Sequence, residues 1–81
     1  MKTVDEMAQL VERPDVQRKV LQDYQENYRG PFSLGVTEKD GRPVLLLRVQ
    51  GVHDPIWRAV QVDGDRVPVI IEAGFVPPRP L

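Results

Sequence analysis

The feature that most constrains this chain is a change of hydrophobic period at Gly30-Pro31. Ahead of it, apolar residues recur every three or four positions, as on one face of a helix. Behind it they alternate, as on a strand, between turn-forming glycines. A chain built this way predicts an α+β domain in which the helices come first and the strands follow.

The helical part divides again at Pro14. Thr3 and Glu6 have the spacing of a capping box, and Val4, Met7, Leu10 and Val11 follow on one stripe. Pro14 ends this first helix near Arg13 and suits the first position of a second one. The second helix is predicted from about Pro14 to Tyr28, with Val16, Val20, Leu21, Tyr24 and Tyr28 on its apolar stripe, and Gly30-Pro31 stops it.

In the strand part, Asp40-Gly41 suits a two-residue type I′ turn, where both central residues take positive φ. That turn fixes a register in which Val36 faces Leu45, Leu34 faces Leu47 and Phe32 faces Val49, all apolar and all on one face. The other face pairs Thr37 with Val44, Gly35 with Leu46 and Ser33 with Arg48. Gly35 there either makes room for Leu46 or marks a close backbone approach. A second hairpin is predicted from about Ile56 to Val62 and Val67 to Ala73. A four-residue loop, Asp63 to Arg66, is the preferred register, pairing Val62 with Val67; a two-residue loop at Asp63-Gly64 is the competitor. Pro68 has no N–H and marks its strand as an edge or a bulge.

The expected architecture is therefore two N-terminal helices packed on one face of an antiparallel sheet of about four strands, formed by two consecutive β-hairpins. Residues 1–75 form the single domain, and 76–81 are a Pro-rich C-terminal tail dispensable for folding. The apolar face of the second helix is expected to cover Leu34, Val36, Leu45 and Leu47.

Composition narrows the function classes. There is no Cys and a single His, His53, which removes disulfides, thiolate metal sites and a multi-His site within one chain. Residues 1–31 carry five basic and six acidic side chains, and residues 32–81 carry six of each, so the basic excess of a nucleic-acid binder is missing. Arg42, Arg48, Arg58 and Arg66 read as solvated charges interleaved with acids, and the strands hold few aromatics on which RNA bases could stack. No apolar run has the length of a membrane span, and the charged N-terminus has no signal-peptide core. These features predict a cytoplasmic protein with no membrane or nucleic-acid partner.

No catalytic constellation is recognisable. His53 and Asp54 could serve as a base and its orienting partner, but they stand in a loop before Pro55, where Asp54 more simply caps its own turn. Asp63 and Asp65 flank Gly64 without the continuation a calcium loop requires, so the chain predicts no cofactor and no metal. The segment Leu34-Gly35-Val36, Lys39-Asp40-Gly41-Arg42-Pro43-Val44 and Val67-Pro68-Val69-Ile70-Ile71 resembles the leading β-segment of some uncharacterised bacterial trypsin-like proteins. These are turn and strand residues, and the resemblance implies no catalytic residue.

The function predicted from sequence is a non-enzymatic protein-interaction or self-association module, a homodimer being its simplest form. Its contact surface is a sheet edge or the face bearing Val44 and Leu46, with Trp57 and Phe75 as further interface residues. The alternative is a small-ligand-binding or enzymatic domain with a pocket between helices and sheet.

Overall fold

The computed structural model describes residues 3–74; Phe75 and the tail 76–81 lie outside the described residues. Two helices, α1 (Val4–Val11) and α2 (Pro14–Tyr24), precede four strands, β1 (Phe32–Lys39), β2 (Arg42–Val49), β3 (Ile56–Val62) and β4 (Asp65–Ala73).

Local chemistry sets the helix bounds. Thr3 caps α1: its side chain accepts from the Glu6 N–H while the Glu6 carboxylate accepts from the Thr3 N–H, the reciprocal pair of a capping box. Pro14 opens α2, where its missing N–H costs no intrahelical bond. The helix stops at Tyr24, four residues short of the sequence expectation. Gln25 turns extended, and Tyr28, instead of continuing the stripe, packs edge-on against Tyr24 with ring centroids 5.8 Å apart. The Tyr28 hydroxyl accepts from the Gln50 N–H at 3.0 Å and donates to the Pro31 carbonyl, pinning the α2–β1 connection to the end of β2.

The sheet has the order β1-β2-β4-β3. β1 and β2 form the expected hairpin with the expected register, Val36 opposite Leu45 and Leu34 opposite Leu47. β3 and β4 form a second hairpin in which Val62 faces Asp65 and Val60 faces Val67. This is the two-residue loop, not the preferred four-residue one. Asp63 (φ 51°) and Gly64 (φ 85°) both take the left-handed conformation a type I′ turn demands.

The two hairpins join through β2 and β4, which run parallel with Leu45 beside Val69 and Leu47 beside Ile71. The sheet is thus mixed rather than purely antiparallel. β4 is a central strand and not the edge that Pro68 suggested. Pro68 does turn away from β3, as expected, but toward β2, and the β2–β4 ladder begins only at the next residue.

Odd-numbered positions of β2 and β4 face the helices. Leu45, Leu47, Val49, Val67, Val69 and Ile71 are buried there with Met7 and Leu10 of α1 and Val16 and Val20 of α2. α1 lies over β1 and β2 while α2 reaches β3, so the first helix takes much of the covering role expected of the second. An ion pair between Arg58 Nε and Asp23 Oδ2 at 3.9 Å follows the α2–β3 contact.

Candidate functional site

The face of the sheet away from the helices holds the residues of interest. One row, Gly35, Leu46, Ile70, Trp57, runs across all four strands, while Thr37 beside Val44 and Ala59 beside Pro68 are pairs within the two hairpins. Val44 is 3% and Ile70 2% exposed, Leu46 is half-buried, and Trp57 is 55% exposed. Of the sequence candidates, the structure places Val44, Leu46 and Trp57 on one face. Only Trp57 presents a large surface, and Phe75 lies outside the described residues. A Cβ built on Gly35 would meet nothing within 4 Å, so this glycine neither makes room for Leu46 nor admits a close neighbour among the described residues.

The face is not flat. Lys39 is level with Arg42, and Glu72 with Arg48, six positions further along β2. In a flat sheet that offset alone would separate them by about 20 Å. Yet Lys39 Nζ lies 3.9 Å from Glu72 Oε1, so the tip of the β1–β2 hairpin coils across this face.

Two prolines allow this. In an antiparallel pair the residues flanking a two-residue turn exchange both backbone bonds, and alternate residues point outward. Lys39 and Arg42 flank the first turn, so Pro43 points away from β1 and toward β4. Val62 and Asp65 flank the second, so Pro68 points away from β3 and toward β2. The Gly74 N–H bonded to the Val49 carbonyl at 3.2 Å, at the other end of this ladder, has the same parity. Neither proline has an N–H to give, so the ladder that would bind their strands together stops. β2 and β4 part below Leu45 and Val69.

The parting opens a cleft of about 610 Å³. Arg42 and Arg66 stand on the two diverging strands, Lys39 and Asp40 form part of its rim, and Trp57 contributes a wall. Val44 and Pro68 supply apolar lining, and Met7 of α1 reaches it from the helical side. Lys39 is engaged by Glu72, whereas neither Arg42 nor Arg66 makes an ion pair among the described residues. The cleft lies where two strands part, and Met7 is the helical residue in its lining. Two prolines near the starts of two apolar strands, one directly after an arginine and the other two positions after one, are the signal that could have found it.

The remaining sequence candidates stay apart. His53 and Asp54 are exposed in the β2–β3 connection, with no side-chain hydrogen bond between them. Asp63 faces Arg13, which donates to it from both terminal nitrogens. Among the described residues no three His, Asp or Glu side chains gather to hold a metal ion, and no helix is long and apolar enough to cross a membrane.

The outer side of β1 is the second feature. β1 is an edge strand, and Phe32-Ser33-Leu34-Gly35-Val36-Thr37 contains neither a charge nor a proline. Phe32 is exposed, and Leu34 and Val36 are half-buried beneath the helical layer. The opposite edge, β3, carries Arg58.

No family model, curated protein or solved structure matches this chain.

Proposed function

We propose that this chain is a non-enzymatic interaction module that self-associates by pairing β1 with β1 of a second copy. The observation that carries the reading is the six-residue, uncharged, proline-free edge from Phe32 to Thr37. Natural sheets ordinarily protect an edge with charge, proline or a bulge, because unpaired N–H and C=O groups recruit another strand. In β1 the groups not used by β2 belong to Phe32, Leu34, Val36 and Glu38.

A two-fold antiparallel pairing centred on Gly35 is self-complementary. Leu34 falls opposite Val36 of the second copy and extends the apolar face, while Ser33 falls opposite Thr37, a pair that can hydrogen-bond. At the centre the two glycines face one another, and the open space around Gly35 leaves room for the approach.

Sedimentation velocity over a concentration series tests this. Wild type is expected to shift from monomer to dimer. A Ser33→Lys, Thr37→Lys double variant, whose changes lie on the face away from the core, should stay monomeric with an unchanged circular-dichroism spectrum. A wild type that is monomeric throughout would remove the reading.

A further inference from the structure

We infer that the cleft between the diverging ends of β2 and β4 is a binding site for a small anion joined to a planar ring, such as a mononucleotide or an aromatic acid. The inference is independent of the pairing proposed for β1, since Arg42, Arg66 and Trp57 lie on the other three strands.

The volume, about 610 Å³, falls in the range of small-molecule sites. The charge on its lining is the reverse of the chain's. The protein has a formal charge of −1, while the cleft brings together Lys39, Arg42 and Arg66 against Asp40. Glu72 accounts for Lys39, and Arg42 and Arg66 are left as two guanidinium forks on opposing strands. Such forks match the geometry of a phosphate or carboxylate and bind it with charge-assisted bonds.

Trp57 completes the site. Its indole is more than half exposed, and Trp57 lines the same cleft. A flat aromatic group can stack there while its acidic group meets the arginines. Val44 and Pro68 offer apolar lining for the rest of the ring. The site is also built in rather than incidental. It exists because Pro43 and Pro68 withhold the N–H groups that would have closed the sheet.

Trp57 is the chain's single tryptophan, so its fluorescence reports on this cleft alone. The experiment titrates the full chain with adenosine monophosphate, with 4-hydroxybenzoate and with neutral adenosine, and repeats each titration by calorimetry. Either acid is expected to give a saturable change, about tenfold tighter than adenosine, as loss of a charge-assisted contact predicts. Which acid binds more tightly separates a phosphate ligand from a carboxylate one. Arg42→Gln and Arg66→Gln should each weaken that binding about tenfold. Arg18→Gln, on the exposed side of α2, should leave it unchanged. Adenosine binding as tightly as the acids, equal binding by the Arg42→Gln, Arg66→Gln double variant, or no saturable response to either acid at millimolar concentration would each overturn the inference.

Discussion

Arg13 and Asp63, fifty residues apart in sequence, are joined by a hydrogen bond of 2.5 Å from Nη1 to Oδ2, which ties the helix junction to the β3–β4 turn. The same guanidinium holds Asp15 through Nε at 3.1 Å and Nη2 at 2.7 Å. One side chain thus spans the two carboxylates, and its own pKa is raised, first by Asp63 and then by Asp15.

That arrangement predicts a titration. The hydrogen bond from Arg13, ahead of every other cause, holds the Asp15 carboxyl below its ordinary value of 3.8. A carboxylate with a depressed folded-state pKa adds stability that is present above the unfolded value and is lost as pH falls through the folded one. Arg13→Gln should therefore raise the Asp15 pKa toward 3.8, read by carbonyl NMR. It should also flatten the acid limb of the stability curve below pH of about 4. An Asp15 pKa unchanged by the substitution would contradict the bond.

Leu47 is fully buried between Leu34 of β1 and Ile71 of β4. Leu47→Ala removes its contacts on both sides and leaves a cavity, so the loss is expected to be about 2–5 kcal/mol by denaturant unfolding. A loss below about 1 kcal/mol would mean the site collapses or the register differs.

The glycines separate backbone strain from steric room. Gly64 (φ 85°) has open space around its missing Cβ, so Gly64→Ala should cost only the left-handed penalty, about 1–2 kcal/mol. Gly35 has the same open space without a positive φ, and Gly35→Ala should be near neutral for the stability of one copy. At Gly74 a Cβ would collide with Arg48 Cβ, and making room would strain the Gly74–Val49 bond, so Gly74→Ala should be the most damaging of the three. Thermal midpoints give the ranking.

Tyr28→Phe removes the hydroxyl that bridges Gln50 and Pro31 while keeping the ring packed on Tyr24. Both backbone partners lie at exposed residues and can turn to water, so the expected loss is modest, about 1 kcal/mol. Amide exchange at Gln50 should speed up, and unaltered exchange there would count against the bridge.

The sequence by itself determined what local chemistry can write. Thr3 and Glu6 set the start of α1, Pro14 separated the helices, and Asp40-Gly41 specified the β1–β2 turn and with it the whole register of that hairpin. It could not choose the register of β3 and β4. Moving the pairing by two residues sets Val60 against Val67 or Val69, and both face the core, so the hydrophobic pattern is the same. The paired positive φ values at Asp63 and Gly64 decided it. The parallel contact of β2 with β4 joins strands that are not consecutive in the chain, with all of β3 between them, and only the tertiary structure makes it. Its trace in the sequence is the unbroken apolar runs Val44–Leu47 and Val67–Ile71, which suit strands buried on both faces. The cleft was decided the same way. Pro43 and Pro68 each have an ordinary place in their own hairpin. They become an opening only when the fold sets their two strands side by side, where neither can supply the hydrogen bond that would close the gap.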